Sequence, residues 1–79
     1  MKKYTIKEKV IDYIYLTHQS IWTPKKSKEH NLIFIKALVD SRIITESIYW
    51  ELENLNDILC DRREKGEVIK YKGMIYHSG

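Results

Sequence analysis

The stretch "ITESIYWELENLNDIL", residues 44–59, carries the spacing that decides the fold. Its apolar residues recur every three or four positions, at Ile44, Ile48, Leu52, Leu55 and Leu59. This period is that of one face of an α-helix, so the spacing predicts an amphipathic helix whose apolar stripe faces the core. Thr45 supplies a capping hydroxyl and Glu46 an acidic first turn, while Gly66 ends the helix.

The opposite face of this helix is acidic. At 100° per residue, the side chains that point away from the stripe are those of Glu46, Trp50, Glu53, Asp57 and Asp61. Residues 43–61 contain neither Lys nor Arg. In a groove walled by phosphates, each like-charge approach at about 4 Å costs on the order of 1–4 kcal/mol before salt screening. Deep docking of DNA along this face is therefore disfavoured, and only the N-terminal tip of the helix suits it.

Two further helices are predicted upstream. Thr5 and Glu8 have the spacing of a capping box at the start of a helix over residues 6–17. Ser27 is a suitable cap for a second helix, "KEHNLIFIKALVD", residues 28–40. The central "LIFI" run is also compatible with a buried strand. The cap and the length of the apolar pattern favour the helix.

The segment between these two helices has a different character. Ile21 and Trp22 favour extended backbone, and Pro24 stops whatever precedes it. A very short strand is therefore predicted near residues 20–23. A basic loop is predicted to follow it, with Lys25, Lys26 and Lys28.

The C-terminal segment "EVIKYKGMIYH", residues 67–77, predicts a β-hairpin of two short strands. Lys72-Gly73 is the two-residue turn between them, although it is a weaker turn signal than Asn-Gly. The predicted fold class is therefore α+β. A single domain over residues 1–79 would contain three helices, the C-terminal hairpin and the short strand near residues 20–23.

Composition bounds the class of protein. The 79 residues are 43% hydrophobic and 32% charged, an ordinary globular balance. The single cysteine, Cys60, excludes an internal disulfide and predicts a cytoplasmic location, and no segment predicts a signal peptide or a membrane span. Abundant Ile, Lys and Tyr with one Ala are typical of an AT-rich genome, such as that of a phage, a plasmid or a low-GC microbe.

No catalytic pattern stands out. His18, His30, His77 and Cys60 lack the spacing of metal ligands, and neither glycine-containing stretch of the C-terminal segment is a phosphate-binding loop. The acidic residues lie on an open helix face, where nothing would raise a carboxyl pKa by desolvation. We therefore expect no enzyme activity, no metal, no cofactor and no small-molecule substrate.

In its predicted order of elements the chain resembles the winged helix-turn-helix family. The matching parts are "IWT" as first strand, "KEHNLIFIKALVDSRIITESIYWELENL" as the helix-turn-helix, and "KGEVIKYKGMIYH" as the wing. The resemblance implies a DNA-binding transcriptional regulator that acts as a dimer on double-stranded DNA. In that family the third helix enters the major groove and the wing contacts the backbone or the minor groove.

Carried over to this sequence, the resemblance implies two groups of nucleic-acid-binding residues. Phosphates would meet lysines, whose contacts are non-specific and salt-dependent: Lys25, Lys26, Lys28, Lys70 and Lys72. Bases would lie nearest the tip of the third helix, at Thr45, Glu46, Ser47 and Tyr49. The alternative is that these lysines are ordinary solvated surface residues without a binding role.

A second hypothesis assigns the acidic face to another protein. An exposed Trp ringed by carboxylates suits an interface centre with a polar rim. The residues of this face are Glu46, Trp50, Glu53 and Asp57. The protein would then be an adaptor or an inhibitor, for example of a host nucleic-acid enzyme, that binds a basic patch of its partner or a second copy of itself. The alternative is that Trp50 folds back onto the domain and the carboxylates are only hydrated, without a binding role.

Overall fold

The computed structural model describes residues 5–71, which form three α-helices. They are α1 (Ile6–His18), α2 (Pro24–Asp40) and α3 (Glu46–Glu64). No β-strand occurs within residues 5–71, so this part of the chain is all-α and the predicted α+β class is wrong. None of the three helices combines the length and the apolar character that crossing a membrane requires.

The strand predicted near residues 20–23 is replaced by a turn and a helix start. The Ser20 hydroxyl donates to the Thr17 carbonyl at 2.6 Å and accepts from the Trp22 N–H at 3.2 Å, which folds the chain back after α1. Thr23 then caps α2 by accepting from the Lys26 N–H at 3.2 Å, with Pro24 in the first turn. Proline is pre-organised for that position, so the helix starts ahead of the predicted cap, Ser27.

The predicted wing is also absent from residues 67–70, which are irregular. Ile69 is buried, whereas Val68 is 68% exposed, so this short segment buries too little apolar surface to hold a strand. A side chain ties it down instead, because the Gln19 amide donates to the Ile69 carbonyl at 3.0 Å. The rest of the predicted hairpin, including Lys72-Gly73, lies outside the described residues.

The predictions for α1 and α3 are confirmed. The capping box of α1 is formed in both directions: Thr5 N–H donates to Glu8 Oε1 at 3.0 Å, and Glu8 N–H donates to Thr5 Oγ1 at 3.1 Å. Thr45 caps α3, and Gly66 follows its end with φ 91°. The apolar stripe of α3 packs inward against a core whose buried members are Val10, Ile14, Ile35, Ile44, Leu52, Leu59 and Ile69.

The second and third helices form an antiparallel pair. Their connection turns at Arg42, whose φ is 61°, and the Ile43 N–H closes the turn on the Leu38 carbonyl at 2.9 Å. Lys28, about 18 Å along α2 from Asp40 at 1.5 Å per residue, still contacts α3. Its carbonyl accepts from Asn56 Nδ2 at 2.9 Å. The two helices therefore run side by side, because helices that crossed at a right angle would hold Lys28 and Asn56 too far apart to bond.

A buried polar cluster joins the three helices. Its members are at most 7% exposed: Thr17 and His18 on α1, Ser27 and Asn31 on α2, and Asn56 on α3. Oδ1 of Asn56 accepts from His18 Nε2 at 2.8 Å and from Asn31 Nδ2 at 3.0 Å. Because buried polar groups are costly unless they are bonded, this cluster fixes how α3 is rotated against its neighbours.

Candidate functional site

Trp50 lies on the outer face of α3 and is 60% exposed. Its indole meets the ring of Tyr49 edge-to-face, with centroids 5.2 Å apart and planes at 74°. Tyr49 is partly buried and packs against the core, and its hydroxyl donates to Glu53 Oε2 at 3.3 Å. The exposed indole therefore packs against a tyrosine whose position is fixed by the core and by the hydrogen bond to Glu53.

Burial, followed by the neighbouring Glu53 carboxylate, raises the pKa of the Tyr49 phenol. The phenol therefore keeps its proton at neutral pH and acts as a hydrogen-bond donor. This hydrogen bond orients one carboxylate oxygen of Glu53 towards Tyr49. We name the surface formed by Glu46, Tyr49, Trp50 and Glu53 the Trp50 face.

An open groove of about 660 Å³ runs beside the Trp50 face, between the end of α2 and the start of α3. Val39, Ile44 and the two aromatic rings give it apolar walls. Its charged rim consists of Lys36, Asp40, Arg42 and Glu46. The groove has the volume of a small binding site and accepts an apolar side chain between groups of both signs.

Most other carboxylates of α3 are engaged within the domain. Asp57 pairs with Lys28 at 3.3 Å, Asp61 pairs with Lys65 at 3.0 Å, and Glu51 pairs with Lys7. The hydrogen bond to Asp57 and its charge raise the pKa of Lys28. Near Trp50, Glu46 and Glu53 are thus the α3 carboxylates without an ion-pair partner among residues 5–71.

The residues predicted to bind a partner protein share one face of α3, at spacings of four, three and four. Glu46 and Trp50 line the groove, Glu53 holds Tyr49, and Asp57 is occupied by Lys28. The structure therefore brings three of the four together around the indole, with Asp57 one turn further along and already paired.

The residues predicted to bind DNA fall into two separate groups. Lys25, Lys26 and Lys28 lie in the first turns of α2, not in a loop as predicted. Thr45, Glu46, Ser47 and Tyr49 lie at the start of α3, near the other end of α2. Along α2 the separation is about 22 Å at 1.5 Å per residue. These residues do not form one cluster.

Several of the DNA-binding candidates also have other partners. The Thr45 hydroxyl accepts from the Ile48 N–H at 3.2 Å, and Lys28 is paired with Asp57. Lys26 lies over the Trp22 ring at 5.3 Å from its centroid. Lys70 is exposed, and Lys72 lies outside the described residues. Of the first group, Lys25 keeps an exposed side chain at the N-terminal end of α2.

The groove depends on residues that the sequence interpretation did not single out. Lys36 and Arg42 contribute both cations of its rim. Arg42 holds a left-handed backbone conformation, which is uncommon outside glycine, and it lies in the turn that brings α2 and α3 together. Only residues 41–45 separate α2 from α3, and so short a connection indicates that the turn and both helix ends share one surface.

Residues 5–71 contain no group of three side chains suited to hold a metal ion. Comparison of the chain with protein-family models, with curated proteins and with solved structures gave no match. The fold and the site define a small three-helix domain with an exposed aromatic face.

Proposed function

We propose that the protein is a binding module that docks a partner protein on the Trp50 face and in the adjoining groove. The exposure of Trp50 carries this proposal. A buried Trp contributes more apolar contact area than any other side chain, and interface hot spots are enriched in Trp and Tyr. Here both residue types are adjacent, and the tyrosine holds the indole in place before a partner arrives.

The charges around Trp50 indicate the chemistry of the partner. Glu46 and Glu53 flank the indole, while the carboxylates further along α3 are paired with lysines of the domain. A partner segment with an apolar side chain and a neighbouring Lys or Arg would fill the groove and meet these two carboxylates. Such an arrangement gives an apolar centre with a charged rim.

The proposed role is binding without catalysis. Cys60, the single thiol, is buried, and its burial, together with the neighbouring Glu64, raises the pKa of the thiol. A buried protonated thiol is a poor nucleophile. An adaptor or an inhibitor acts by binding a partner on its surface, and the groove beside Trp50 is compatible with either role.

Replacement of Trp50 tests the proposal. Proteins captured from a lysate by the wild-type domain are purified and titrated against three forms: wild type, Trp50→Ala and Ile33→Ala. Ile33 is the matched control, because it is 73% exposed on α2 and lies outside the groove. We expect Trp50→Ala to weaken the purified complex by about 30-fold, a hot-spot effect of about 2 kcal/mol, and Ile33→Ala to leave it unchanged.

The proposal fails if no purified partner distinguishes these two variants. Circular dichroism of each variant provides the folding control. Because the Trp50 side chain is largely in solvent, its loss is expected to change the free energy of unfolding by less than about 0.5 kcal/mol.

A second candidate function is binding of double-stranded DNA by a small regulator. One observation favours it: Lys25 and Lys26 stand in the first turn of α2, where the helix dipole adds to their positive charge. A gel shift with random duplex at two salt concentrations tests it. DNA binding predicts a shift that weakens with salt and is reduced by Lys25→Glu with Lys26→Glu, whereas Trp50→Ala has no effect.

A further inference from the structure

Arg63 is a half-buried cation with no carboxylate partner among residues 5–71. Its Nη1 donates to the Ser27 hydroxyl at 3.1 Å and approaches His18 Nδ1 at 3.5 Å, and its Nη2 donates to the Trp22 carbonyl. All three acceptors are neutral. The ion pairs of the described residues involve other side chains. Burial lowers the pKa of this guanidinium without removing its charge.

The state of His18 follows from these contacts. Because Asn56 Oδ1 accepts from His18 Nε2, the Nε2 atom carries the proton and Nδ1 offers its lone pair to Arg63. The imidazole is therefore neutral and brings no counter-charge to the guanidinium. Nothing in the described part of the chain neutralises Arg63.

The bonds of Arg63 leave two N–H donors of its guanidinium unused within residues 5–71. The group has five N–H donors, and the three contacts above use two on Nη1 and one on Nη2. The Nε–H and one Nη2–H therefore remain unused. Nε and Nη2 are the two nitrogens that form the side-on fork accepted by two oxygens of a carboxylate or phosphate.

An open cavity of about 330 Å³ adjoins Arg63. The end of α1, the first residue of α2 and residues 66–69 surround it, and Pro24 marks the N-terminal end of α2. The first turn of α2 contains no acidic residue. The one carboxylate in the lining belongs to Glu67, which is paired with Arg62 at 3.2 Å. Arg63 is thus the cation of the lining that has no ion-pair partner within residues 5–71, and the cavity has the size of a small ligand.

We propose that this cavity, the Arg63 cavity, binds a phosphate group through the unused N–H donors of the guanidinium. Arg63 supplies a full positive charge, and Pro24 places the positive end of the α2 dipole beside the cavity. A phosphate monoester carries about −1.5 to −2 at neutral pH, which this combination matches better than it matches the single charge of a carboxylate. Helix N-termini favour the same class of anion.

This site goes beyond the proposed function, because it lies at the other end of the α2–α3 pair from the Trp50 face. The two proposals therefore stand or fall separately. The Arg63 cavity would take inorganic phosphate or a phosphate monoester, and the two sources share the chemistry that the guanidinium recognises.

The test uses the folded chain labelled with ¹⁵N and follows the Nε–H signals of its arginines during titration. Inorganic phosphate, phosphoserine and acetate are added separately at constant ionic strength. Arg62 provides the internal control, because its Nε is already bonded to Glu67. We expect a saturating shift at Arg63 with both phosphate compounds, at least about tenfold weaker binding of acetate, and little change at Arg62.

Replacement of Arg63 itself would also remove its bond to the Trp22 carbonyl and could unfold the domain, so Val68 is changed instead. Val68 lines the cavity and is 68% exposed. Val68→Glu places a carboxylate beside Arg63 and is expected to weaken phosphate binding at least about tenfold, while the neutral Val68→Gln leaves it within about twofold. If phosphoserine binds as well as inorganic phosphate does, the site takes phosphate monoesters. If only inorganic phosphate binds, the ligand is the free ion.

Three outcomes would overturn the proposal. They are a shift that never saturates, equal shifts at all arginines and lysines, and binding that Val68→Glu leaves unchanged. Acetate binding as tight as phosphate would overturn the assignment to phosphate.

Discussion

His18 Nε2 and Asn56 Oδ1 lie 2.8 Å apart inside the domain, although 38 positions separate them in the chain. Asn56 also bonds Asn31 and the Lys28 carbonyl. One amide side chain thus connects all three helices.

Asn56→Ala is expected to destabilise the domain strongly. The substitution leaves a His18 N–H, an Asn31 N–H and the Lys28 carbonyl without this partner, and an unsatisfied buried group costs about 1–3 kcal/mol. We expect the free energy of unfolding to fall by at least about 3 kcal/mol, measured by urea denaturation. Asn54→Ala, on the exposed side of the same helix, is the control and should change it by less than about 0.5 kcal/mol. Similar losses for the two variants would contradict this role for Asn56.

His18 makes stability depend on pH. Burial lowers its pKa below the ordinary 6.5; the Asn56 bond opposes this shift, and the Arg63 guanidinium adds to it. The folded state therefore prefers the neutral imidazole. Its contribution is fully present above pH 6.5 and is lost as the pH falls below 6.5 towards the lowered value, by up to about 1.4 kcal/mol per pH unit.

Urea midpoints measured between about pH 7.5 and about pH 5.5 check this dependence, since Asp and Glu side chains titrate at lower pH. His18→Gln keeps an amide donor towards Asn56 but has no titrating ring, so its midpoint should vary less over this range. A wild-type midpoint that stays constant or rises on acidification would show that the imidazole does not control stability.

Arg42→Gly is expected to stabilise the domain. Arg42 holds φ 61° at the end of α2, where a side chain with Cβ is strained. Relief of that strain exceeds the extra entropy of glycine in the unfolded chain, and we expect a gain of about 0.5–1 kcal/mol in thermal or urea unfolding. Ser41→Gly is the control: Ser41 has φ −84°, so glycine there should destabilise. A loss of stability in Arg42→Gly would mean that its side chain contributes more than the backbone strain costs.

The helices predicted from sequence were those with unambiguous local signals. The Thr5–Glu8 capping box and the Thr45 cap depend on neighbours three residues away, and the α3 stripe follows helical spacing throughout. The start of α2 was misplaced because two capping residues compete there. Ser27 has the right side chain, but Thr23 precedes a proline, and the Ser27 hydroxyl is used inside the domain to bond the Thr17 carbonyl.

The buried polar cluster was missed because its members are residue types that usually face solvent. Their spacing did contain a signal: Asn56 falls on the line of Leu52 and Leu59, and Asn31 precedes Ile35 by one turn. The β-hairpin was predicted from apolar residues alternating near a Gly. Such a pattern does not show whether the segment forms a strand, and residues 67–70 are irregular, with Ile69 buried and Val68 exposed. Whether the domain binds DNA or a protein stays a prediction.

The chain has two tryptophans, and they occupy opposite ends of the α2–α3 pair. Trp22 contacts His30 edge-to-face and lies beneath Lys26, whereas Trp50 stands in solvent against Tyr49. Each indole is thus a built-in fluorophore for a different end of the molecule. With Trp22→Phe and Trp50→Phe, quenching of the surviving emission would show which end a ligand occupies without any added dye.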